Sequence, residues 1–223
     1  MLIDLHCHTS PRSSCSRATL EGLVGVARAR GVDALCITEH DLRWTDEDLA
    51  DASAAVDFPL LRGIEVSTDV GHVLAYGELR RPLWRGYTLE QLVDEADETG
   101  AALVLAHPAR YLAGERAMRA GRTPPPPEEV ASSRQWVAVH AIEAMSTQTT
   151  PDEHALVAAA LAVVPRPATA GSDAHDDHTA GAFATRLERD VRTSAELAAE
   201  IRAGRVEPAV LPGLRSRSNP GRQ

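Results

Sequence analysis

Of the nine histidines in this 223-residue chain, two stand beside an aspartate in its first ten residues, in "IDLHCHTS". Asp4, His6 and His8 occupy alternate positions. In an extended strand side chains switch faces at every step, so these three share one face and Ile3, Leu5 and Cys7 the other. Imidazole and carboxylate groups gathered on one face are ligands for zinc, manganese or iron.

The other chemistry-bearing residues follow the same rule of position. His40 comes after "DALCIT" in "TEHD", and Glu65 ends "LLRGIE". His72 opens "HVLAYG", His107 ends "ALVLAH" in "AHP", and Glu143 ends "VAVHAIE". Asp173 and His175 close the run "PATAGSDAH". Taken singly, each has a duller explanation: a hydrogen-bonded core histidine, a salt-bridged glutamate, a helix-capping aspartate. Taken together they sit where strand-like runs end, and solvated surface charges would not track strand ends. So many imidazoles and carboxylates meeting at one rim would be unstable without cations.

The runs that must position them are strand candidates at 2–6, 33–38, 60–65, 72–77, 102–107, 137–143 and 167–173. Helical-period segments lie between them at 20–31, 45–56, 88–100 and 151–164. Thr19, Thr45 and Thr88 read as N-caps, and Gly31 and Gly100 as helix stops. This alternation predicts an α/β domain with a mainly parallel sheet, and seven strands come close to closing a barrel. In such barrels the functional face is the C-terminal end of the strands. A single domain is expected over 1–210, with 211–223 as a flexible tail. One irregular excursion at 111–136 carries "TPPPPEE" and reads as a polyproline-like surface insertion. Alternation puts His140 on the opposite face from Glu143, and His154 and His178 default to the surface. Trp44, Trp84 and Trp136 read as packing residues.

Composition narrows the chemistry. All 23 basic residues are arginine. Without lysine there is no Walker-type phosphate loop, no Schiff base and no carboxylated-lysine bridge. A net charge of −9 argues against stable binding of long nucleic acid. No apolar run approaches the roughly 20 residues that span a bilayer, and no leader pattern opens the chain, so no membrane association is expected. Three sparse cysteines fit the reducing cytoplasm.

In their order, "DLHCHTS", "ITEHD", "GIEVS", "GHVLAYG", "AHP", "AIEAMS" and "GSDAH" resemble the polymerase-and-histidinol-phosphatase (PHP) superfamily, from residue 2 to about residue 185. The resemblance implies a distorted seven-stranded (β/α)7 TIM-like barrel that holds two or three divalent ions (zinc, manganese or iron) and hydrolyses phosphoesters. It implies the metal ligands His6, His8, His40, Glu65, His72, His107, Asp173 and His175, with Glu65 bridging two ions. This chain departs from the family after the first motif, where "SPRSSCSRAT" supplies neither the usual Asp nor His. Cys15 is the nearest substitute, with an ordinary loop residue as the alternative, so the departure puts in doubt the third ion, the one that would use His40 and His175. Glu143 is a further candidate metal ligand.

The chemistry expected is attack on phosphorus by hydroxide held between ions, without a protein nucleophile. Asp4 is expected to orient a histidine or water beside the ions, with a polar role in the core as the competing reading. Arg12 and Arg110 flank the motifs and are the candidates for phosphate capture. The substrate expected is a small phosphorylated molecule, a nucleotide or a short oligonucleotide end. The rivals are an amidohydrolase-like enzyme acting on C–N or C–O bonds and a non-catalytic metal-binding domain.

Overall fold

The computed structural model describes residues 1–81 and 87–212, so Trp84 and the tail sequence "LRSRSNPGRQ" lie outside the described residues. The chain runs β1 (Leu2–Cys7), α1 (Leu20–Ala29), β2 (Ala34–Ile37), α2 (Asp46–Val56), β3 (Leu60–Thr68), β4 (Gly71–Tyr76), α3 (Leu89–Thr99) and β5 (Ala102–Leu105). Three short helices follow, α4 (Gly114–Arg119), α5 (Pro127–Ala131) and α6 (Arg134–Ala138). Then come β6 (Ala141–Met145), α7 (Pro151–Val163), β7 (Ala168–Ala170), β8 (Phe183–Leu187), α8 (Ser194–Arg202) and β9 (Val206–Val210). The expected caps form: Thr19, Thr45 and Thr88 each accept a backbone N–H of the first turn, and Gly100 ends α3 in the left-handed conformation.

Among the described residues the strands make one nine-stranded sheet in the order β7-β6-β5-β4-β3-β2-β1-β8-β9. It curls almost into a barrel, because Cys7 at the end of β1 pairs with Ala174 beyond β7. The expectation of a seven-stranded, mainly parallel barrel is therefore corrected in two ways. β4 is antiparallel to both β3 and β5, and β8 and β9 add an antiparallel edge beside β1. The reason for the first is length: only Asp69 and Val70 separate Thr68 from Gly71, whereas a parallel crossover needs a dozen residues or more.

Ile3, Leu5, Cys36, Leu74, Tyr76 and Val104 fill the interior, where Leu197, Ala198 and Ile201 of α8 join them. Outside, α1 packs Leu23, Val24 and Ala27 against Leu35 and Ile37. α3, α5, α6 and α7 cover the other side through Leu92, Val130, Trp136 and Val157. Each such large side chain contributes about 1.5–3 kcal/mol by leaving water.

The excursion at 111–136 holds α4, α5 and the start of α6, while residues 122–126 between α4 and α5 stay outside any helix, with Pro126 at φ −65° and ψ 149°, the polyproline region. Pro127 opens α5, where a missing N–H costs nothing. Trp136 is fully buried and its indole N–H donates to the Val164 carbonyl at 3.3 Å. Because α6 takes residues 134–138, the sixth strand starts at Ala141 and not at 137.

Candidate metal centre

Three local features of the backbone build the rim. β1 carries a bulge between Asp4 and Cys7, opposing three steps of β1 to two of β2. Ile3 and Leu5 pack inside, Cys7 packs outside with Leu2, and His6 and His8 turn to the rim. Next, the "GSDAH" segment passes so close to β1 that a Cβ on Gly171 would lie 2.5 Å from the His6 Cβ. Finally, His107 and Asp173 hold positive φ angles of 30° and 51°. Non-glycine residues pay for that conformation with strain, which persists only where surrounding bonds enforce it. For His107 the enforcing bond is its backbone N–H to Glu143 Oε2 at 2.9 Å.

Glu65 is the hub. Its Oε1 lies 2.8 Å from His72 Nδ1 and 3.0 Å from His107 Nε2. Its Oε2 lies 3.3 Å from His6 Nε2, 3.2 Å from His8 Nε2 and 3.0 Å from His40 Nδ1. Asp173 Oδ1 faces the same two rings, 3.4 Å from His6 Nε2 and 3.3 Å from His8 Nε2. His175 Nδ1 approaches Asp173 Oδ1 at 3.4 Å. His72 alone opens its strand, and the antiparallel course of β4 brings it to the rim opposite Ser67.

His6 Nε2, His8 Nε2 and Glu65 Oε2 are buried with no hydrogen-bond partner. Orphaned acceptors facing one another are what a cation satisfies. Among the described residues three groups could hold one: His6, His8, Glu65 and Asp173; His40, Glu65 and His72; and His8, His40 and His175.

The electrostatics agree. Burial works against a charged ring at His6, but Asp173, Glu143 and Glu65 outweigh it and hold its pKa well above the usual histidine value. His8 is raised against the same burial by Asp173 and Glu65, and His72 by its contact with Glu65. Burial opposes ionisation of Glu65, yet His6, His107 and His72 hold its pKa well below the usual range. Asp173 is likewise lowered, against burial, by His6 and His8. At His40 burial dominates and takes the pKa down to about 4, and it lowers His175 too. The carboxylates thus call for positive charge among them, as protons or as metal ions.

Of the other expected residues, Arg110 is at the rim: its guanidinium donates to Asp173 Oδ2, and its Nε is buried without a partner. Glu143 is adjacent but outside the three groups. Its Oε1 contacts His6 Nδ1 at 2.8 Å, which leaves Nε2 to face the cage. Asp4 is a correction. Its carboxylate accepts backbone N–H groups of His6, Ser172 and Gly181, and burial raises its pKa; it touches no imidazole. The β1 bulge, which breaks strict alternation, is the cause. Arg12 is another, stacked 3.9 Å over Trp44 and paired with Asp48. Cys15 is exposed and belongs to none of the three groups. His140, expected to face away, accepts the Leu103 N–H instead.

Two residues escaped the sequence reading. Glu39 is fully buried and bonds to Thr9, Ser13 and Trp44. Ser13 contacts His8 Nδ1 at 3.3 Å. The one available signal was a second carboxylate directly before His40 in "TEHD".

Residues 151–206, from α7 to the start of β9, match a family model described as PHP-associated. No curated protein matches the sequence. Among solved structures, PsfC from Pseudomonas syringae is 19% identical over 94% of this chain and 91% of its own, with a TM-score of 0.60. A two-domain protein of Bacteroides vulgatus containing a predicted PHP-like metal-dependent phosphoesterase is 19% identical, with a TM-score of 0.61. There the match covers 95% of this chain and 65% of the other. An amidohydrolase of Chromobacterium violaceum with bound sulfate and no metal is 18% identical over 92% of this chain and 97% of its own, with a TM-score of 0.61. The family-model match covers about a quarter of the chain, and the likeness to these solved structures shows a shared fold. Among the described residues no helix is long and apolar enough to cross a membrane.

Proposed function

We propose that this protein is a metal-dependent phosphoesterase acting on a small phosphorylated molecule, a nucleotide or a short oligonucleotide end. The observation that carries it is the meeting of buried, unpartnered His6 Nε2, His8 Nε2 and Glu65 Oε2 beside Asp173, with the Arg110 guanidinium at the same edge. His6, His8, Glu65 and Asp173 would hold one divalent ion, and His40, Glu65 and His72 a second, with His107 against the same Glu65 Oε1. The group His8, His40 and His175 draws on the same His8 Nε2 as the first. With His8 Nδ1 turned to Ser13, one lone pair cannot serve both groups, so two ions are the reading. Zinc, manganese and iron all accept such mixed imidazole and carboxylate sets. When bound they would polarise the phosphoryl group and supply a nucleophilic oxygen at neutral pH.

The chain's own contribution is placement. Glu143 holds His6 with Nε2 inward and pins the strained backbone of His107, so one carboxylate orients two rim residues. Arg110 would exchange Asp173 for phosphoryl oxygens, which its planar fork matches. That guanidinium is what favours phosphoesters over amides, since the shared fold hosts both reactions. The test is a panel of phosphomonoesters, phosphodiesters, amides and lactones, each with added manganese, zinc or iron, on the wild type, Glu65→Gln and His107→Ala. Phosphoester turnover that both variants lose is expected. Amide or lactone turnover in its place, or no turnover with any metal, would overturn the proposal.

A further inference from the structure

We infer that Glu39 is a positioning residue that sets which nitrogen His8 offers to the cage, acting through the Ser13 hydroxyl. The inference rests on the metal reading above. Glu39 faces donors from three residues: the Thr9 N–H at 3.1 Å and its hydroxyl, the Ser13 hydroxyl, and the Trp44 indole N–H at 3.4 Å. Each of these groups donates, so the Glu39 oxygens act as acceptors.

The rest is a count of hydrogens. Ser13 has one hydroxyl hydrogen, and Glu39 takes it. Only lone pairs remain on Ser13 Oγ, and two nitrogens reach them, the His40 backbone N–H at 3.4 Å and His8 Nδ1 at 3.3 Å. The His8 contact is a bond only when Nδ1 carries the hydrogen. Neutral imidazole then has its lone pair on Nε2, the atom facing Glu65 and Asp173. The proton order therefore runs inward from Glu39 through Ser13 to His8. His6 reaches the same result in one step through Glu143. A glutamine at 39 could donate to Ser13, free its hydrogen to point at His8 Nδ1, and leave Nε2 protonated and useless to a cation.

Two measurements test this. Zinc affinity is read by chelator competition, and the His8 Nδ1–H by its proton and ring ¹⁵N shifts in the zinc-loaded protein, where Nε2 would face the ion instead of giving a hydrogen to the Glu65 and Asp173 carboxylates. Glu39→Gln and Ser13→Ala should each weaken zinc binding about 10–100-fold and lose the hydrogen-bonded Nδ1–H signal, with the far-ultraviolet circular dichroism unchanged. Ser13→Thr, which keeps the hydroxyl, should restore both. Wild-type affinity or an unchanged Nδ1–H signal in a folded Glu39→Gln would overturn the inference. Should that variant not fold, equal behaviour of Ser13→Ala and Ser13→Thr would overturn it as well. A wild type that binds no zinc sinks the metal reading, and this inference with it.

Discussion

Glu65 on β3 and Glu95 on α3 are both about 1% exposed, and both have several polar groups around them. Glu95 faces groups that donate: the backbone N–H groups of Arg80 and Arg81 and the Tyr87 hydroxyl. Glu65 faces rings of His6, His8, His40, His72 and His107, and its Oε2 forms no hydrogen bond. A backbone N–H can only donate, so Glu95 is satisfied where it stands and fastens the chain around the start of α3. An imidazole offers either a hydrogen or a lone pair, so the ring of histidines around Glu65 can be completed by protons or by a cation. Burial of a carboxylate is thus silent about function, and the kind of partner is what distinguishes the two sites.

The largest effect that could break this contrast is on catalysis. Glu65→Gln should cost more than the roughly 10–100-fold that loss of an outer partner costs, while Glu95→Gln should leave kcat/KM for the active phosphoester unchanged. Equal losses in both variants would erase the distinction.

Metal and pH come next. Divalent ion at 100 times its Kd should stabilise the folded protein by about 2.7 kcal/mol, read as a rise in Tm that a chelator reverses. Stripped of metal, the protein should lose stability as pH rises above about 6.5. His6, His8 and His72 have raised pKa values, so their favourable protons are present below the unfolded value and are lost on passing through the folded one. His40 and His175, with lowered values, give a slope of opposite sign near pH 6.5 that dies away as their unfolded rings become neutral. Metal binding releases the same protons, so the gap in Tm between loaded and stripped protein should widen with pH. A gap that narrows would contradict the cage.

A third effect sharpens the other side of the contrast. Glu95→Ala strands buried N–H groups and should cost about 1–3 kcal/mol in thermal or urea unfolding, with the metal affinity unaltered. The smallest effect compares two arginines. Arg110→Ala should raise KM roughly tenfold, as expected for loss of one hydrogen bond to a charged group. Arg12→Ala, removing a side chain that rests on Trp44 and Asp48, should leave KM within twofold.

Much of the site was legible from position along the chain. His6, His8, His40, Glu65, His107, Asp173 and His175 end strand-like runs, and parallel strands with outer helices bring such ends together. Asp4 was misplaced because alternation holds for a regular strand and β1 is bulged where it meets β2. Arg12 was misplaced because closeness to a motif says nothing of direction, and the Trp44 ring draws its guanidinium away. Glu39 was missed because its partners, Thr9, Ser13 and Trp44, lie on both sides of it in sequence and meet only when the loops fold.

Local sequence by itself determined α1, α2, α3 and α7, with threonine hydroxyls that reach first-turn amides and a glycine that ends α3, whereas α4, α5, α6 and α8 were not read from it. It also determined which side chains stand at strand ends, because strand length is set by runs of apolar residues. The two-residue connection after β3 already dictates that β4 runs backwards; tertiary structure alone decided that Asp4 braces backbone while His6 and His8 face the cage, and that α6 displaces the front of the sixth strand. Those outcomes depend on pairing and packing between segments far apart in the chain, as where Cys7 meets Ala174 and Gly171 passes against His6. No periodicity within one segment carries that information.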